Sequence, residues 1–305
     1  MPELCDVSYS RDECIAAIHN YYQFLTKMYL DESMVIHPPP EGWPFDAEAL
    51  RELGKSDEVI ALLRYLPYIR EGPDASHAEA ASHCWFADWQ DLAQRLIGGH
   101  ISGEDIRLMS EGSDRYKLVP PYVVSLTCGG PDNTIFLLDT KRGTVVWCEC
   151  PREVWQNPTR EGIVDFPFGY EDTDEDEDED EDEDQDKEEN EKGEKKEESN
   201  EDSDEDSDEG SHGDKPDKME WLGCTKAWAV ADFFNLLQDL FRDLKFIPIN
   251  PLSVKDVFSI YHPSFRGMLP MIQEIYRRHG WPDLQSFQKQ KCLEAISKAM
   301  KERFP

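Results

Sequence analysis

The sequence predicts an α+β protein: a small, mainly antiparallel sheet with flanking helices, interrupted by a long disordered acidic insert. Three observations predict it. Apolar residues recur at three- and four-residue spacing towards both ends of the chain, which marks one face of a helix. Two β-rich runs, "TIFLLD" and "TVVWCEC", flank the turn sequence "TKRG", the pattern of an antiparallel hairpin. Residues 171–220 carry 30 acidic and 6 basic side chains in a chain whose formal charge is −33.

The first helix is announced by "SRDE", where Ser10 and Glu13 form a capping-box pattern. Ile15, Ile18, Tyr22, Leu25 and Tyr29 continue it as one apolar stripe, and "HPPPEGWP" stops it. A second helix follows Ser56, with Val59, Leu62, Leu63 and Leu66 as its buried side and Pro67 as its end. Residues 71–84 read as loop, and "CWFADWQDLAQRLIGG" as a short strand leading into a helix that ends at Gly98–Gly99. The polar stretch 98–117 gives little signal. In "PYVVSLTCGG" the β-branched residues favour a strand, whereas Pro121 at the start and Gly129 past the end favour a short helix; the reading leans to helix.

After the acidic run, Val230, Phe233, Phe234, Leu237, Leu240, Phe241 and Leu244 cover a wide helical face that must pack on something. "MLPMIQEIYRRHG" reads as a helix capped near Gly280. "WPDLQSFQKQKCLEAISKAMKERF" reads as a last helix with Pro282 in its first turn and Leu293, Ile296 and Met300 on its buried side.

A block of like charge with almost no apolar residues cannot offset the entropy of ordering it, so 171–218 is expected to be disordered. The rest of the chain, with 35 acidic against 26 basic side chains, is far closer to balance. Loop closure costs only about 0.6 kcal/mol per doubling of length. Residues 1–170 are therefore expected to form the first part of a single α+β domain, 171–218 an insert, and 219–305 the helical completion of the same domain. No run approaches the roughly 20 apolar residues of a membrane span, and the N-terminus has neither a secretory nor a mitochondrial pattern. Eight scattered cysteines do not form a secreted disulfide framework. The expected location is the cytoplasm or nucleus. The negative charge argues against direct nucleic-acid binding and points to protein partners, basic proteins among them.

No motif specifies a reaction. "CEC", at Cys148 and Cys150 with Cys128 across the hairpin, lacks the paired knuckles of a zinc site, and residues one apart on a strand face opposite ways. Reduced thiols in a strand are the expectation. "HCW" at His83–Trp85 places a histidine next to a cysteine in sequence, which seldom gives side-chain-to-side-chain geometry. The glycine pairs at 98–99 and 129–130 lack the flanks of a phosphate loop. The tryptophans at 43, 85, 89, 147, 155 and 281 are expected in core and loop packing, with a ligand groove lined by some of them as the sharper reading. "GWP" and "HGWP" make Trp43, Pro44, Trp281 and Pro282 the candidate partner-binding residues. No catalytic residue, cofactor or metal is expected. The carboxylates of the tract have no fixed separation for acid–base work. The tract is read first as a solubilising loop. Ser199, Ser203 and Ser211 within it, each with an acidic residue three positions on, suit an acid-directed kinase.

The segments "VPPYVVSLTCGGPDN", "FLLDT", "GTVVW" and "AWAVADFFNLLQDLF" resemble the SUKH superfamily, which holds bacterial immunity proteins and fungal regulators of cell-wall synthesis. The matching positions are Pro121, Gly129, Gly130, Asp139, Trp147, Ala231, Asp232, Phe234 and Leu237, over about a third of the chain. The N-terminal 70 and C-terminal 50 residues have no counterpart in it. "FLTKMYLDES", "GWP", "GKSDEVIALLRYLPYIR", "ECP" and "HGWPDL" are similar to a filamentous-fungal protein family without an assigned activity. The SUKH resemblance implies a non-enzymatic protein-interaction module. The alternative is an acidic chaperone or scaffold that binds basic proteins such as histones through the tract. An enzyme whose site carries no familiar motif is the third class.

Overall fold

The computed structural model describes residues 6–45, 50–72, 76–130, 132–156, 163–164 and 226–304. The expected insert 171–218, Cys5 and Cys224 lie outside the described residues. Helix α1 (Arg11–Met28) starts where the Ser10 side chain accepts from the Glu13 N–H, and it carries Asp12 and Glu13 in its first turn, where the helix dipole favours acids. Its buried face is wider than the predicted stripe, adding Cys14, Tyr21, Phe24 and Met28 to Ile18, Tyr22 and Leu25. Strand β1 (Val35–Ile36) pairs antiparallel with β2 (Tyr68–Ile69). Between them lies α2 (Asp57–Leu63), capped by the Ser56 side chain on the Val59 N–H.

Residues 71–84 are not simply loop. They contain β3 (Glu79–Ala81), which pairs with β4 (Cys84–Trp85) through a turn in which His83 takes φ +51°. β4 is the short strand expected at the start of "CWFADWQ", whereas β3 is too short to show a period, which is why the sequence hid it. Helix α3 (Trp89–Ile97) follows and ends at Gly98 as expected. The uninformative stretch 98–117 contains α4 (Gly103–Glu111), opened by a full capping box between Ser102 and Asp105. Its signal was present in a weaker form, since the box uses Asp rather than the usual Glu or Gln.

The main sheet has five strands in the order β5–β6–β7–β9–β8, all antiparallel: β5 (Val123–Ser125), β6 (Phe136–Asp139), β7 (Thr144–Trp147), β8 (Ile163–Val164) and β9 (Lys226–Ala229). A short helix α5 (Arg152–Trp155) leads from β7 towards β8. The predicted β6–β7 hairpin is present, with Gly143 at φ +71° in its turn. The lean to helix over 121–129 is corrected: Val123, Val124 and Ser125 pair with Asp139, Leu138 and Leu137. A ladder partner overrides local Pro and Gly punctuation, as tertiary context commonly does.

Strand β9 lies between β7 and β8, with Val145 opposite Trp228 and Val146 opposite Ala227. The chain then enters α6 (Val230–Arg242) directly, and the Val230 N–H donates to the Gly143 carbonyl at 3.1 Å. Helix α6 packs on α1, on β7 and on β10 (Phe246–Pro248). Phe233 meets Phe136 edge-on at 4.9 Å, and Phe136 meets Trp147 edge-on at 5.2 Å, within the range favoured by aromatic pairs. The described residues before and after the tract fall within one compact unit.

β10 pairs with β11 (Val254–Asp256), a hairpin the sequence reading folded into the helical run. Helix α7 (Met268–Arg278) and α8 (Lys289–Arg303) complete the unit. Pro282 is not in a first helical turn; α8 begins at Lys289, after a run of turns. Strands are thus spread along the chain rather than gathered in the middle, although the class is α+β. Among the described residues, no helix is long and apolar enough to cross a membrane.

Gly143 is irreplaceable on two counts. Its φ lies in the left-handed region, and a Cβ there meets the Ser8 carbonyl oxygen at 2.6 Å. Gly143→Ala should lower stability by about 1–3 kcal/mol, read as a reduced urea midpoint with an unchanged slope. Unaltered stability would show that the turn and the Ser8–Tyr9 segment do not meet as described.

Candidate functional site

A cleft forms where two turns approach the start of α3. β4 continues beyond Trp85 as an extended segment beside the chain leaving β5. The Cys128 N–H donates to the Trp85 carbonyl at 3.1 Å, the Ala87 N–H donates to the Leu126 carbonyl at 2.9 Å, and Phe86 bridges to Thr127. Asp88 then caps α3, its Oδ1 accepting from the N–H groups of Gln90 at 3.0 Å and Asp91 at 3.1 Å. On the facing side the chain leaving β2 presents Arg70 and Glu71, and the Gly72 N–H donates to the Ser76 carbonyl at 2.9 Å. The cleft has a volume of about 770 Å³, within the range of ligand-binding clefts.

The walls mix charge with aromatic surface. The Arg70 Nη2 donates to Gln90 Oε1 at 2.5 Å, while its Nε stands 3.8 Å from Asp88 Oδ2. Arg95 Nη1 is 3.9 Å from Asp91 Oδ2, with both side chains about half-exposed. His77 Nε2 lies 2.8 Å from Glu71 Oε1, and the His77 ring stacks on Trp85 with centroids 5.0 Å apart at 25°. Asp88 Oδ2 is buried with no hydrogen-bond partner among the described residues. Desolvation pushes the Asp88 carboxyl above the usual range, opposed by the backbone donor from Asp91 and by the Arg70 charge. Beyond the His77–Trp85 stack lies a second concavity of about 680 Å³, which shares Gly72, His77 and Trp85 with the first.

The residues singled out from sequence fall elsewhere. Trp43 is half-buried against Tyr68, and its indole N–H donates to the Leu66 carbonyl at 2.8 Å. Trp281 is only 4% exposed and donates to the Phe241 carbonyl at 3.0 Å, with Phe287 edge-on at 5.1 Å. It is a core residue, so the expected aromatic surface patch loses its larger member. Pro44 and Pro282 are exposed, but the two "GWP" segments do not converge: Trp43 sits on β2, Trp281 on α6 and α7. Of the six tryptophans considered, Trp85 is the one that lines the cleft.

The cysteine readings resolve toward packing. Cys84 is fully buried, and desolvation pushes its thiol well up. Neighbouring His83 lies 3.9 Å from Asp256 Oδ2, the oxygen that accepts from Ser82 Oγ at 2.6 Å. Serine donates to the carboxylate rather than to the imidazole, which is not the order of a nucleophilic relay. Cys148 is buried and Cys150 half-buried. Among the described residues, no three His, Cys, Asp or Glu side chains are grouped to hold a metal ion. A buried charge cluster joins Lys55 to Glu111, whose other oxygen accepts from Arg107 Nε at 3.1 Å. Burial lowers the Lys55 pKa, with Glu111 opposing the shift. The cluster ties the start of α2 to the end of α4.

Comparison with protein-family models, with curated proteins and with solved structures gave no match for this chain. The segment matched to the proline-led helix of the SUKH proteins holds strand β5. Asp139 and Trp147 lie on β6 and β7, and Ala231, Asp232, Phe234 and Leu237 lie on α6.

Cys128 is the thiol that lines the cleft, and burial pushes it up to about 11. At pH 7.5 it should alkylate roughly a hundredfold more slowly than an unperturbed thiol, with the rate climbing as pH rises towards 11. Site-resolved iodoacetamide labelling by mass spectrometry measures this. Fast labelling of Cys128 at neutral pH would mean that the cleft holds an activated thiol.

Proposed function

We propose that this protein is a non-enzymatic, intracellular protein-interaction module of the SUKH-like type, with its partner surface at the Trp85 cleft. The observation that carries this reading is the make-up of the cleft: a half-exposed tryptophan set among Arg70, Arg95, Asp88 and Asp91, whose mutual charge pairs are too long for hydrogen bonds. Aromatic and arginine side chains are the groups that dominate protein-binding hot spots. The imidazole at the cleft is already engaged by Glu71, and the thiol there is held protonated by burial, which leaves little for nucleophilic chemistry. The second reading, an acidic chaperone or scaffold for basic proteins such as histones, rests on the 30 acidic against 6 basic side chains of 171–220. Location in the cytoplasm or nucleus belongs to both readings.

The two separate by salt and deletion. Partners are recovered from native extract with the full chain and with a variant lacking 171–218, at low salt and at about 1 M, where the screening length falls to about 3 Å. The same partners should survive both treatments and be lost on Trp85→Ala. Recovery of basic proteins alone, lost on both deletion and salt, would transfer the function to the tract.

A further inference from the structure

Two histidines from separate elements meet near the start of the chain. His77 and His83 lie beside carboxylates, those of Glu71 and Asp256. His19 and His37 instead face each other, with ring centroids 5.3 Å apart and planes tilted by 52°. His19 is carried by α1, where its neighbours Ile18 and Tyr22 are buried in the core. His37 directly follows β1, whose Ile36 pairs with Tyr68, and it precedes Pro38, Pro39 and Pro40. A residue before proline is confined to extended backbone, so His37 is held from both sides. Both rings are therefore mounted on stiff backbone, as a binding site requires. Both also reach solvent, since His37 is exposed and His19 half-buried.

The spacing suits a shared ion. Imidazole nitrogens bind a zinc-like dication at about 2.0–2.1 Å, so two rings at a tetrahedral angle around one ion have centres about 5 Å apart. The ring nitrogens are open to such a role. Gln23 Nε2 stands 3.5 Å from His19 Nε2. An amide N–H only donates, so this imidazole nitrogen presents its lone pair, and a contact of that length is readily displaced. Among the described residues His37 makes no side-chain hydrogen bond, which leaves its ring free to turn either nitrogen towards the ion.

We infer that His19 and His37 form a two-imidazole site for a divalent first-row transition-metal ion of the copper, nickel or zinc type, with water completing its coordination. Imidazole suits these ions, whereas calcium and magnesium take oxygen ligands. Among the described residues no third His, Cys, Asp or Glu joins the pair. The site is therefore open and exchangeable, unlike a structural zinc site with four protein ligands. The bound ion ties α1 to the segment that leaves β1.

Nickel(II) tests this on the full chain, with excess Mg²⁺ present to occupy carboxylates of the tract. An ion held equally by folded and unfolded chain leaves stability unchanged, and only one that prefers the fold raises it. Residues 19 and 37 come together only in the fold. Nickel should therefore raise the thermal midpoint by about 2–4 °C, reversed by EDTA. His19→Gln and His37→Gln should each abolish the rise while keeping the metal-free midpoint. Diethyl pyrocarbonate modification, resolved by mass spectrometry on the unaltered chain, should slow by about fivefold or more at both histidines when nickel is present. A rise that persists in both variants, or unchanged modification of His19 and His37, would overturn the assignment and leave the two rings as surface packing.

Discussion

The pairing of residues 144–147 with 226–229 is the contact on which the rest of the structure depends. Those strands lie on opposite sides of the acidic tract, yet they are neighbours inside the five-stranded sheet. Because β9 runs straight into α6, the register that sets Val145 against Trp228 also fixes where Phe233 and Phe234 enter the core. A one-residue slip would turn Trp228 to the opposite face and remove it from contact with Trp147 and Phe233. The aromatic core, the seating of α6 on α1 and the closing of the β6–β7 turn over Ser8 all follow from that single ladder.

The same topology separates the cleft from the point of insertion. Residues 163–164 and 226–229, the nearest described flanks of the tract, form the β8 side of the sheet, whereas the cleft builds outward from the β5 side through the Phe86–Thr127 bridge. A slowly growing closure cost lets a long segment enter at one edge without disturbing residues hung from the other. This division explains how a chain can carry so much charge in one stretch while keeping a compact, mostly apolar interior.

Much of this was legible in the residues. Ser10 and Ser56 announced their helices by capping, "TKRG" announced its hairpin, and the face from Val230 to Leu244 announced a helix that must be buried. The class α+β followed from these. What stayed hidden depended on partners far away in sequence. Val123–Ser125 is a strand because Leu137–Asp139 lies beside it, and nothing local weighs that pairing against Pro121 and Gly129. The cleft was almost illegible, because its parts come from 69–72, 77, 85–95, 109 and 128–130, and several of those stretches read as loop or turn or gave little signal. "HCW" did mark Trp85, but for an unrelated reason. Trp281 shows the converse: a "GWP" motif that suggested an exposed anchor is filled in by Phe24, Tyr276 and Phe287.

Residues on both sides of the tract build one cooperative unit in this account, and separate expression tests that most directly. Fragments 1–170 and 219–305 are purified apart and their thermal unfolding is followed by circular dichroism, alone and mixed. Neither fragment should show a cooperative transition by itself, because the first lacks an interior strand and the second lacks the sheet that α6 packs on. Cooperative unfolding of each fragment alone would contradict the account and make the tract a linker between two independent domains.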